Sequence, residues 1–196
     1  MNNKKWLIVL FVAMVLAQFA VPLKMIFDRE NVLVAGKNYK FKTAPIDPSD
    51  PFRGKYVTLS FAENTFEVSD NEKWHNGQSI YVLLKTDKDG FAKIADVVKE
   101  TPAESNDYVK AKLNYVVVQK DSTQTIHQLN IEYPFNRFYM EESKAPLAES
   151  MYWELARDTT KIAYASVSVQ NGNAVLKDVF INDVSIKDLV KAERLK

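Results

Sequence analysis

Hydrophobic and polar residues follow two different rules along this chain, and the change between them falls near residue 27. From Trp6 to Leu23 every position is apolar except Gln18, with no polar face at helical spacing. A soluble amphipathic helix would carry polar residues along one side, so this stretch predicts a helix in apolar surroundings. Its 18 residues cover about 27 Å, just enough for a hydrocarbon core of roughly 30 Å with Trp6 at the interface and lysines reaching outward.

Beyond Val34 the pattern becomes one of strands separated by turns. Tyr39, Phe41 and Thr43 alternate with lysines, and Val57, Leu59 and Phe61 alternate with Tyr56, Thr58 and Ser60, as in a half-buried strand. The near-continuous run Ile80-Tyr81-Val82-Leu83-Leu84 after Asn76-Gly77 predicts a central strand covered on both sides. Asp87-Lys88-Asp89-Gly90 predicts a hairpin into Phe91 to Val98, and Tyr108 to Val118 with Ile126 to Tyr133 a second. The strongest hairpin signal is Gln170-Asn171-Gly172-Asn173, flanked by Ile162 to Val169 and Ala174 to Ile181. About eight strands result, a mainly β fold of sandwich or partly closed antiparallel barrel type. Two short helices interrupt it: one entered at Pro146, with Leu147, Met151 and Leu155 at four-residue spacing, and one opened by Ser185 and Asp188 before Leu189, Val190 and Leu195.

The division that follows is a cytoplasmic tip and transmembrane signal anchor over residues 1–27, then one extracytoplasmic β-rich domain over 28–196. A cleaved signal peptide competes with a retained anchor. Cleavage needs small residues at −3 and −1, and near Ala17 and Ala20 either Gln18 or Phe19 intrudes, which favours retention. Lys4 and Lys5 precede the span and predict a cytoplasmic N-terminus in a single-pass inner-membrane protein, although Lys24 and Arg29 reduce the contrast.

Composition changes this picture little. With 46% hydrophobic and 26% charged residues the chain is that of a folded protein with one core. The net charge of +1 conceals three lysines and no acid before residue 28, which leaves the rest slightly acidic. No dense basic cluster is present, so nucleic acid is not an expected partner. The absence of cysteine excludes disulfides, thiolate metal sites and cysteine nucleophiles.

One segment stands apart. Ala44 to Phe61 packs Pro45, Pro48, Pro51, Asp47, Asp50 and Gly54 immediately before a strand, and the prolines restrict both themselves and the residues before them. With Arg53, Gly54, Tyr56 and Leu59 in place, the segment resembles the GDYXXLXY family of bacterial membrane-anchored proteins, differing at Lys55, where the family has aspartate, and at Phe61, where it has tyrosine. The resemblance extends to Arg137-Phe138-Tyr139-Met140-Glu141, Glu149 and Asn171 to Lys177. It implies an anchored extracytoplasmic protein accompanying a multi-spanning membrane protein, and it implies no reaction.

Several residue sets carry candidate chemistry. Asp47, Asp50 and Arg53, with Glu63, would suit a carboxylate and guanidinium or metal site, but an Asp-Pro turn explains them more simply. His75 and His127 have no ligand partner at short spacing. Glu141, Glu142 and Glu149 would supply paired acids. No serine has a recognisable nucleophile context for a Ser-Lys pair. No catalytic residue, metal ligand or cofactor is therefore assigned. Aromatics cluster at Phe135, Phe138, Tyr139 and Trp153, and Arg137, Phe138, Tyr139 and Glu141 are the candidate partner-binding residues. The expected role is an anchored binding or assembly module serving an integral membrane protein. An envelope hydrolase using the Asp-Pro carboxylates or a Ser-Lys pair is the alternative.

Overall fold

The computed structural model describes residues 3–44, 56–69, 73–103, 105, 107–120, 125–141, 143–157 and 160–194. Helix α1, Asn3–Ala35, is 33 residues long, about 50 Å at 1.5 Å per residue. It is the one helix among the described residues long and apolar enough to cross a membrane. Its large hydrophobics from Trp6 to Phe27 stand exposed almost throughout, and the first buried one is Val32. Pro22 lies inside the helix and removes the N–H that would reach the Gln18 carbonyl, a loss that helices in apolar surroundings tolerate. Helix α1 runs eight residues past the sequence-read boundary at residue 27, because Asp28 to Asn31 continue the helix to its docking point at Val32.

The domain is mostly antiparallel sheet. In chain order its elements are β1 Lys37–Ala44, β2 Tyr56–Thr58, β3 Ser60–Phe61, β4 Thr65–Val68, β5 Ser79–Thr86, β6 Ala92–Val98, β7 Tyr108–Lys120 and β8 Thr125–Glu132. There follow β9 Arg137–Tyr139, helix α2 Ala145–Arg157, β10 Ala163–Gln170, β11 Asn173–Ile181, β12 Val184–Ser185 and helix α3 Ile186–Arg194. One five-stranded sheet has the order β12-β11-β10-β1-β3, a second has β4-β8-β7-β5-β6, and β2 pairs with β9 alone. Buried residues of all three sheets form a single core. Parallel bridges at Lys40 with Phe91 and at Val109 with Gly172 tie the large sheets together along their flanks. The result is a partly closed antiparallel β fold, as the alternation predicted.

All three expected hairpins form: β5 with β6, β7 with β8 and β10 with β11. At the last, Gln170 pairs with Asn173 and leaves a two-residue loop, Asn171 and Gly172, both at positive φ (49° and 81°). That is the backbone requirement of the hairpin turn whose twist matches the strands it joins.

Two strand readings need correction. Strand β5 is paired on both edges but fully buried on one face, with Tyr81 and Leu83 half-exposed on the other. The strand covered on both sides is β10, whose Tyr164 and Ser168 are as buried as Val167 and Val169. Its second face lies under α1 and beside Phe91 and Phe180. The half-buried strand read across Tyr56 to Phe61 divides at Leu59, because the chain changes partner there, from β9 to β1. Val57, Leu59 and Phe61 nonetheless all point inward.

Helix α2 buries Ala145, Ala148 and Tyr152 most deeply, with Leu147 and Met151 at the margin. The small alanines allow close approach, so the face against the core is turned from Leu147 and Met151, while the Leu155 side chain lies outside the described residues. Helix α3 is capped as expected: the Lys187 N–H donates to the Ser185 hydroxyl at 3.2 Å, and that hydroxyl donates to Asp178 at 2.8 Å. It buries Ile186 and Val190.

Candidate functional site

Asp47, Asp50, Arg53 and Gly54, with the proposed Asp-Pro turn, lie outside the described residues. The rest of the motif is clear. Strands β2 and β9 pair antiparallel, with Tyr56 opposite Tyr139, Val57 opposite Phe138 and Thr58 opposite Arg137. Alternation sends each pair to the face opposite its neighbour's. Phe138 and Val57 therefore enter the core, while Tyr56 and Tyr139 meet on the outer face, ring centroids 5.4 Å apart. The Arg137 guanidinium lies 5.1 Å from the Tyr56 centroid, within cation–π range. Tyr139 is 63% exposed.

The motif spacing now has a physical meaning. Tyr56 and Leu59 have opposite parity along an extended chain, and Leu59 and Phe61 have the same parity, so one tyrosine faces out and two large apolar side chains face in. Phe61 packs against Phe41, Tyr133 and Phe135, with centroids 5.7, 5.7 and 5.2 Å away. The Leu59 N–H donates to the Asn136 carbonyl at 2.8 Å, which holds the motif against the segment leading into β9.

Of the candidate partner-binding residues, Arg137 and Tyr139 thus share an exposed face with Tyr56. Phe138 does not: it is 4% exposed and belongs to the core, because its place in β9 has inward parity. Glu141 is exposed but engaged. It pairs with Lys144, accepts from the Ser143 hydroxyl at 3.0 Å, and its carbonyl accepts from the Ala145 N–H at 3.0 Å as α2 begins. Lys144 first, and Ser143 next, hold its carboxyl below the usual carboxylate range.

The other candidate chemistry is dispersed. Glu63 pairs with Lys93 on β6. His75 sits at an exposed turn and His127 on β8. Glu142 and the Trp153 side chain lie outside the described residues. Phe135 is core. Among the described residues no group of three or more His, Asp or Glu side chains is arranged to hold a metal ion.

Sequence reasoning singled out Arg137 and Tyr139 but missed their junction with Tyr56. The two strands lie about eighty residues apart and only pairing joins them. The available signal was aromatic residues at outward parity in both short strands.

No curated protein and no solved structure matches the chain. A family model described as GDYXXLXY protein matches residues 18–179, from the middle of α1 to Val179, two residues before the end of β11. That match spans the motif, the three hairpins and the Tyr56–Tyr139 face, and the chain belongs to the GDYXXLXY family.

Proposed function

We propose that the chain is a membrane-anchored extracytoplasmic module that binds or assembles with an integral membrane protein. The observation that carries this reading is the exposure of α1: its hydrophobics from Trp6 to Phe27 find no partner on the domain. In water such a surface is strongly unfavourable, and about 33 Å of apolar helix matches a bilayer core of roughly 30 Å. Lys4 and Lys5 orient the N-terminus toward the cytoplasm, so the β domain stands outside the inner membrane. The face of Tyr56, Arg137 and Tyr139 is the docking surface in this reading, since Tyr and Arg are the residue types that dominate binding hot spots.

The test is crosslinking and co-purification from membranes, comparing the unaltered chain with an Arg137→Ala, Tyr139→Ala double variant. An integral membrane protein captured by the first and lost from the second is the expected result. Capture of none, or equal capture by both, overturns the assignment of the face. A C-terminal reporter active only outside the cytoplasm tests orientation separately, and activity on the wrong side overturns it.

A further inference from the structure

The last turns of α1 and the neighbouring end of the β domain enclose a cleft of about 600 Å³. Helix α1 contributes Met25, Asp28, Arg29 and Val32, which is the i, i+3, i+4, i+7 spacing of one helix face. The domain contributes Tyr81, Tyr108 and Lys110, together with the β10–β11 turn.

These walls are tied down. The Gly172 N–H donates to the Tyr108 carbonyl at 3.1 Å, and the Lys110 N–H donates to the Gly172 carbonyl at 2.9 Å, so the turn is fixed to β7. The Tyr108 ring lies against Gly172 and meets Tyr81 edge-on at 5.7 Å. On the other side Val32 is buried and its carbonyl accepts from both Gly36 and Ser168. A cleft between a helix and a domain keeps its shape only with such fastening.

Its charges are unevenly used. Asp28 is engaged by Lys24 at 2.6 Å. Arg29 and Lys110 line the cleft without an ion-pair partner among the described residues. A second depression of about 360 Å³ adjoins it at Lys110 and Pro134 and adds Lys112, with Glu132 also on its wall. Met25 belongs to the exposed apolar run that ends at Phe27, one turn before Arg29. An occupant therefore meets an apolar surface at one end and Arg29 about 6 Å further along the helix axis, with Lys110 on the domain wall of the same cleft.

The geometry points to a binding site for an anionic phospholipid, its phosphate held by Arg29 and Lys110 and the root of its acyl chains against Met25. The inference rests on the membrane-anchored reading, which puts Met25 at acyl depth and Arg29 at head-group depth. A free phosphate would share the cations and make no use of Met25. A zwitterionic lipid would share the apolar contact and gain less from two positive charges.

The experiment uses the full chain in detergent micelles containing equal amounts of phosphatidylglycerol and phosphatidylcholine, with retained lipid counted by native mass spectrometry. Preferential retention of phosphatidylglycerol is expected, falling about thirtyfold in an Arg29→Gln, Lys110→Gln double variant, as two cations near a membrane surface imply. Lys191→Gln on α3 leaves retention unchanged. Both variants keep the unaltered thermal midpoint, since the substituted side chains are exposed. Equal retention of the two lipids, no loss in the double variant, or displacement by excess inorganic phosphate each overturns the inference. Alkaline extraction of membranes separates the two ideas: release of the chain into the supernatant defeats anchoring itself, whereas a chain that stays but shows no lipid preference defeats only the lipid site.

Discussion

The Ser168 hydroxyl donates a 2.6 Å hydrogen bond to the Val32 carbonyl, joining the middle of β10 to the last turn of α1. The Gly36 N–H donates to the same oxygen at 3.0 Å. Helix and domain are therefore fastened through a buried polar contact rather than through a free linker. Whatever α1 is embedded in sets the height and tilt of the β domain.

This junction leaves no room for a side chain at residue 36. A Cβ there would collide with the Val32 carbonyl oxygen and come within 2.6 Å of Ser168 Oγ. Gly36→Ala is expected to destabilise the full chain in detergent by about 1–3 kcal/mol, as overpacking does. Ser168→Ala is expected to cost only about 1 kcal/mol, because the Val32 oxygen keeps the Gly36 donor. Denaturant unfolding of the two variants checks the order.

At the β10–β11 turn, Gly172 combines a φ of 81° with a Tyr108 ring carbon that would lie 2.8 Å from an added Cβ. Gly172→Ala should therefore cost more than about 1 kcal/mol. Tyr108→Ala in the same chain relieves the steric part but not the φ cost. Stability of the single and double variants, compared as a cycle, separates the two contributions.

Neighbouring residues on β9 should respond in opposite ways. Phe138→Ala removes a core ring and is expected to cost about 3–5 kcal/mol. Tyr139→Ala, on the exposed face, should change stability by less than about 0.5 kcal/mol. A large loss from Tyr139→Ala in thermal unfolding would show that this face is structural rather than available to a partner.

Tyr152 is fully buried, and burial pushes its hydroxyl up to about 12. Its neutral form is favoured in the folded state. The stabilisation is thus complete below the unfolded pKa of about 10 and is lost as pH rises from there toward 12. Between those values stability should fall by up to about 1.4 kcal/mol per pH unit from this residue. Tyr152→Phe should remove this share of the slope and leave the share that comes from Tyr133 and Tyr164, which burial raises likewise. A slope left unchanged by Tyr152→Phe would overturn the assignment to this ring.

Local pattern carried a large share of the fold. The apolar run before Lys24, the three hairpins and the caps of α3 each follow from neighbouring residues: absence of a polar face, positive-φ residues between alternating segments, and a serine one position before a helix. The candidate site was legible only in parts. Tyr56, Leu59 and Phe61 were recognisable as a motif, and Arg137 and Tyr139 as surface candidates. That Phe138 is core while Tyr139 is exposed depended on the parity at which β9 pairs with β2, and a shift of one residue would have reversed it.

By itself, the sequence determined that an apolar helix precedes one β-rich domain and where its tight turns fall, because backbone sterics and local hydrophobic period act over a few residues. Only tertiary structure decided that β10 rather than β5 is covered on both faces, that the motif strand changes partner at Leu59, and that Arg137 comes to lie over Tyr56. It also decided that α1 runs on to Ala35 and closes a cleft with Tyr108 and Lys110. These are contacts between residues tens of positions apart, chosen by which apolar faces can be buried together, and that choice is a property of the whole core rather than of any segment.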